Sequence, residues 1–151
     1  MLSEYDMDMR GSGRSNYHYF MADATGDYAI VEYTIPKGDS VPRVMEVFTG
    51  NDTLRCVTNF YVSPTMIGTT DGWGSSHGKD RYETLRSTLF TNNYSLEEDQ
   101  AMDLLEAVSQ APTEELTSQT QWSSLYNLTE KTLRLTILRE YAKEYKFKVS
   151  K

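Results

Sequence analysis

The chain is poor in the residues that staple, metallate or anchor a protein. Among its 151 residues there is one cysteine, Cys56, and there are two histidines, His18 and His77. No intramolecular disulfide can form, and the set of soft ligands that zinc requires is not at hand. A disulfide-built mini-protein is excluded, and a chain of this length buries enough apolar surface to fold without one. No run of 18 consecutive apolar residues exists, so a membrane-spanning helix is not expected. The opening MLSEYDMDMRGSG is acidic and polar, where a secretory signal would be basic and then apolar. Also missing are G-x-x-x-x-G-K-[ST], a G-x-G-x-x-G after a strand, and H-E-x-x-H. These absences lead to the expectation of a cytoplasmic protein with no cofactor, no metal and no membrane partner.

Basic residues are in deficit, 15 Lys and Arg against 22 Asp and Glu, for a formal net charge of -7. That balance opposes nucleic acid as the main partner, because a phosphate backbone is met by clustered cations. The deficit is uneven: from Glu130 onward seven basic and three acidic residues give +4, so residues 1–129 carry -11. In the basic end the lysines alternate with apolar residues, the pattern of a solvated strand face. What is present, 38% hydrophobic and 25% charged residues, is the composition of one ordinary globular domain.

Residues 1–17 lack apolar periodicity and are expected to be irregular, with the folded domain covering 18–151. His18 to Tyr33 reads as a hairpin around Asp23-Ala24-Thr25-Gly26-Asp27, a connection with glycine for positive φ and aspartates that bond their own backbone. Val44 to Phe48 and Leu54 to Val62 read as two further strands about the turn Thr49-Gly50-Asn51-Asp52. Ser63 to Asp80, with four glycines, reads as a long loop, of a length that is either functional or mobile. Two helices follow, with Asp80/Glu83 and Ser95/Glu98 at capping-box spacing, each with one apolar face to cover a sheet. Met102 is expected to pack there. Trp122 to Leu128, Thr132 to Leu138 and Tyr145 to Val149 alternate as half-buried strands. Strands, two adjacent helices, then strands describe an α+β fold with antiparallel sheets and packed helices.

Cys56 with His77 and Asp80 has the residue types of thiol catalysis, but a lone cysteine in a strand run is more often a small buried hydrophobe. His18 reads as a packed or edge residue. The N-x-[ST] matches at Asn51, Asn93 and Asn127 read as turn chemistry in a chain without a secretory signal. Asn59 and Arg81 bracket the long loop from its two ends, and an amide beside a guanidinium can polarise a carbonyl or hold a carboxylate. Spacing alone reads them as a turn residue and a surface cation.

The strings from His18 to Tyr33 with its core ADATGDYAIVEY, VTNF at 57–60, GKDRYETL at 78–85 and WSSLYNLTEKTLRL at 122–135 resemble, in that order, the C-terminal half of the choloylglycine hydrolase and penicillin V acylase family. They are also similar to the related acyl-CoA:6-aminopenicillanic acid acyltransferase branch. The resemblance implies part of an N-terminal nucleophile hydrolase, an αββα sandwich of antiparallel sheets that cleaves linear amide bonds of N-acyl substrates. In such enzymes an N-terminal cysteine attacks, its own α-amine acts as base, and an acyl-enzyme forms. Asn59 would then help form the oxyanion site, Arg81 would lie beside the nucleophile, and Phe60 and Trp73 would contact substrate. The chain departs from the family in having Met1 and Leu2 where the nucleophile would stand. The resemblance therefore implies a nucleophile on a missing N-terminal segment, and exposed sheet surface that this segment or self-association would cover. A diverged, non-catalytic binding or assembly module is the other expectation. Bile salts, penicillin V, other N-acyl amino acids and peptides all remain open as substrates.

Overall fold

The computed structural model describes residues 18–34, 44–50, 55–69, 78–114 and 117–149. Its class is α+β, with two antiparallel three-stranded sheets and two helices. The chain separates into two compact units, residues 1–82 and 83–151.

In the first unit β1 (His18–Ala22), β2 (Tyr28–Thr34) and β3 (Val44–Gly50) pair in the order β1-β2-β3. The hairpin between β1 and β2 forms as its sequence indicates. Asp23 Oδ1 accepts from Thr25 N at 2.9 Å and Asp27 N at 3.2 Å, and Gly26 supplies a φ of 91°. The register aligns His18, Glu32 and Glu46 in one row across the three strands, with Phe20, Ile30 and Phe48 in another. At the far end of the sheet Gly50 lies opposite Tyr28, and a Cβ there would stand 2.5 Å from the Tyr28 hydroxyl. The phenol occupies space that only glycine leaves open. As the middle strand, β2 is buried on both faces.

Leu54 to Val62 does not form the expected strand. Residues 55–60 make no ladder and Tyr61 makes a single bridge, while Leu54 lies outside the described residues. The backbone here is satisfied by side chains instead of a neighbouring strand: His18 takes the Thr58 carbonyl and Glu32 takes the Val62 and Ser63 N–H groups. The long loop is also more ordered at its start than its composition indicates. The Ser63 hydroxyl accepts from Thr65 N at 3.0 Å and caps a 3-10 turn at Pro64–Met66, whose first position suits the fixed φ of proline. Residues 70–77, the rest of that loop, lie outside the described residues.

α1 (Lys79–Thr91) begins one residue before the expected cap, so Asp80 lies inside its first turn, where a carboxylate favours the helix dipole. None of its residues is buried, so the expected covering face is not formed by α1 in either unit taken alone. α2 (Glu98–Ala107) starts two residues later than Ser95 suggests. Ser95 N is taken by Asn92 O in the turn that ends α1, and the reciprocal cap falls to Glu97 and Gln100, with Glu97 N donating to Gln100 Oε1 at 2.9 Å.

In the second unit β4 (Trp122–Asn127), β5 (Thr132–Ile137) and β6 (Tyr145–Lys148) pair in the order β4-β5-β6. β6 is exposed throughout, Tyr145 and Phe147 included, and so is not the half-buried strand that its alternation leads one to expect. α2 packs on β4 and buries Met102 and Leu104. The tie is polar as well. Tyr141 OH donates to the Leu105 carbonyl at 3.2 Å, which leaves the Ser123 hydroxyl to donate to it at 2.6 Å. Arg134, 8% exposed, holds Glu144 through two bonds at 2.9 and 2.7 Å and Asp99 of α2 at 2.8 Å. Its hydrogen bonds to Glu144 keep that carboxyl below the usual range against the opposing pull of desolvation. The other sheet face is left open, with Trp122 66%, Tyr126 59% and Phe147 50% exposed.

Arg134→Ala is expected to destabilise the chain by about 1–3 kcal/mol in urea unfolding. This is less than the ~3–5 kcal/mol for breaking a fully buried pair, because Asp99 is 88% exposed. A change below about 0.3 kcal/mol would show that the Arg134 network holds nothing.

Candidate functional site

Asn59 and Arg81, 22 residues apart in sequence, meet in the first unit. Arg81 Nη2 donates to Asn59 Oδ1 at 2.5 Å. Three local features make the approach possible. Thr58 Oγ1 donates to the Gly78 carbonyl at 3.0 Å, which ties the strand-like segment to the start of α1. Gly78 takes a φ of 75°, which turns the chain into α1, and Tyr82 N closes the first helical turn on its carbonyl at 3.1 Å. Its missing side chain matters too: a Cβ would stand 3.0 Å from Arg81 Nη2 and 3.1 Å from Asn59 N.

The direction of this bond fixes the chemistry of the amide. With Oδ1 engaged by a cation, the donors left to the Asn59 side chain are the Nδ2 hydrogens, and the guanidinium polarises the amide that carries them. A polarised N–H donor next to a permanent positive charge is the type of group that stabilises an oxyanion.

Beneath the pair, Phe60 is 3% exposed and meets Tyr82 edge-on, ring centroids 5.4 Å apart. The ring anchors the segment that carries Asn59. Trp73, the other residue assigned to substrate contact, lies outside the described residues, as does His77. Cys56 is half-buried in the irregular segment before Asn59. No group of three or more His, Cys, Asp and Glu side chains suited to a metal ion exists among the described residues. Nor is any helix among them long and apolar enough to cross a membrane.

Behind Asn59 lies a polar cluster that sequence reasoning passed over. Glu32 has no solvent exposure. Its Oε1 accepts from Val62 N at 3.0 Å and from His18 Nδ1 at 2.8 Å, and its Oε2 accepts from Ser63 N at 3.0 Å. Next along the row, Glu46 accepts from the Ser63 hydroxyl at 2.6 Å and the Thr34 hydroxyl at 3.0 Å. Burial pushes the Glu46 carboxyl up, but hydrogen bonds from Ser63, Thr65 and Thr34 outweigh it and hold the group below the usual range. The signal was in the sequence: a glutamate inside AIVEY, the most apolar strand of the chain, has to find partners or remain uncharged.

Comparison of the chain with protein-family models, with curated proteins and with solved structures gives no match.

Gly78→Ala is expected to cost about 1 kcal/mol or more, since alanine is strained at this φ. It is also expected to separate Arg81 from Asn59, which a shift of the Asn59 side-chain amide resonance would report. An unchanged resonance would mean that Gly78 does not set the approach.

Proposed function

We propose that this chain is the C-terminal part of a linear amide hydrolase of the choloylglycine hydrolase type, built on an αββα sandwich of the N-terminal nucleophile class. The observation that carries the reading is the Arg81–Asn59 bond, because the two residues flagged by the resemblance are brought together with the amide donor side left available. The antiparallel α+β order supports the same reading.

In this mechanism a cysteine on a preceding segment supplies the nucleophile. Its thiol proton passes to its own α-amine as sulfur attacks the carbonyl carbon of an N-acyl amide, and the carbonyl oxygen takes up the negative charge. Asn59 Nδ2 donates to that oxygen, and Arg81 holds Asn59 in place and stabilises the charge. Collapse of the intermediate breaks the C–N bond, the leaving amine takes the proton, and water then hydrolyses the thioester. Phe60, packed against Tyr82, backs the segment that carries Asn59, and Trp73 is the residue assigned to contact with the acyl group. No cofactor or metal enters.

A second reading, a binding or assembly module, is favoured by the open aromatic face of β4, β5 and β6, where Trp122, Tyr126 and Phe147 are exposed. An apolar surface of this kind is a recognised interaction site, and in the hydrolase reading the cysteine-bearing segment or a second copy covers it.

One experiment separates the two. The chain is mixed with a cysteine-bearing N-terminal segment of this family, and cleavage of a panel of N-acyl amides is followed with Asn59→Ala and Arg81→Ala. Cleavage that falls about 10²- to 10³-fold in kcat with Asn59→Ala is the expected result. Binding without cleavage would move the assignment to the assembly module, and cleavage indifferent to both substitutions would overturn the roles given to Asn59 and Arg81.

A further inference from the structure

His18 begins β1, and the antiparallel register sets it opposite Glu32. Its ring faces two acceptors. Nε2 lies 2.5 Å from the Thr58 carbonyl and Nδ1 lies 2.8 Å from Glu32 Oε1. A carbonyl can only accept, so Nε2 carries a proton. Glu32 takes the Val62 and Ser63 N–H groups on its two oxygens, and as an ionised carboxylate it can only accept, so beside it Nδ1 carries one too. A neutral imidazole has a single N–H and satisfies one of these contacts, whereas the imidazolium satisfies both.

The second contact reaches the candidate site. Thr58 immediately precedes Asn59, and its hydroxyl is already spent on the Gly78 carbonyl. With its own carbonyl taken by His18, Thr58 is held from both sides, and the direction in which Asn59 leaves the segment is fixed.

We propose that His18 is a positioning residue for Asn59: as the imidazolium partner of buried Glu32 it clamps the Thr58 carbonyl and so sets the orientation in which the Asn59 amide meets Arg81. This role rests on the reading of Asn59 as the oxyanion donor, and it makes that donor dependent on a proton held about one strand away.

The surroundings favour the charged ring. Glu32 faces it from β2, the Tyr61 ring meets it edge-on at 6.4 Å from the segment after Asn59, and Glu46 on β3 lies next to Glu32 in the same row. Burial pulls the imidazolium pKa down, but the Glu32 hydrogen bond, the Thr58 carbonyl and the Glu32 charge outweigh it and leave it above the ordinary 6.5. The sign follows from linkage. With the folded-state pKa raised, the clamp is complete below about pH 6.5 and is lost as pH rises through the folded-state value.

The test needs no catalysis. In the full chain carrying His77→Gln, His18 is the sole histidine, so its ring nitrogens and the Asn59 side-chain amide can be followed together by ¹⁵N NMR as a function of pH. The expected result is a ring protonated at both nitrogens through pH 6.5, titrating above it, with the Asn59 amide signals moving at the same midpoint. Adding His18→Gln is expected to abolish that movement. A His18 midpoint at or below 6.5, or an Asn59 signal that stays flat while His18 titrates, would overturn the proposal. Should the double variant fail to fold, the His77→Gln titration decides alone. Failure of amide cleavage would count against the hydrolase reading without touching this readout, so the two can fail separately.

Discussion

Glu32 is a carboxylate with no solvent exposure in the middle of the central strand of the first sheet, and the candidate site is built on how it is satisfied. An isolated charge there would be costly, of a size that ordinary packing does not offset. Three hydrogen bonds meet it: two from the consecutive backbone N–H groups of Val62 and Ser63 and one from the His18 ring. They solve two problems at once. The carboxylate gains donors, and an irregular segment with no ladder of its own gains a place on the sheet. Asn59 lies inside that segment, so its position follows from the sheet register through Glu32 and His18, before any substrate or partner is considered.

The second unit uses the same physics for a different end. Arg134, almost fully buried, is met by Glu144 and by Asp99 of α2, and Tyr141 spends its hydroxyl between Ser123 and the Leu105 carbonyl. These bonds fasten α2 and the β5–β6 connection to one face of the sheet. The opposite face carries the apolar members of the alternation, and Trp122, Tyr126 and Phe147 remain exposed on it. The sheet thus has one polar, tied face and one open aromatic face that leaves an apolar surface exposed.

Much of this was legible beforehand where local chemistry decides. The Asp23–Asp27 turn forms from aspartate and glycine acting on their own backbone, and Leu133, Leu135 and Ile137 alternate in β5 as period two requires. The errors fall where distant groups compete. Leu54 to Val62 has strand composition, yet its backbone partners are the side chains of His18 and Glu32, far away in sequence. Ser95 has the right spacing for a cap but is already engaged by the turn that ends α1. The pairing of Asn59 and Arg81 was raised by their bracketing of one loop and given roles by the resemblance, while spacing alone favoured a turn residue and a surface cation. The His18–Glu32 pair was missed because a histidine at a strand start and a glutamate within a strand become partners only once the hairpin register is known.

The dependence of the site on Glu32 can be measured residue by residue. Native-state hydrogen exchange at the Val62 and Ser63 amides, compared between the chain and Glu32→Gln, tests it most directly. A hydrogen bond to a charged acceptor contributes about 1.5–3 kcal/mol, which corresponds to roughly 10- to 150-fold in protection. A loss of that order is expected at Val62 and Ser63 in Glu32→Gln, with the Val31 amide of β2 still protected. Equal protection at Val62 and Ser63 with and without the carboxylate would contradict it.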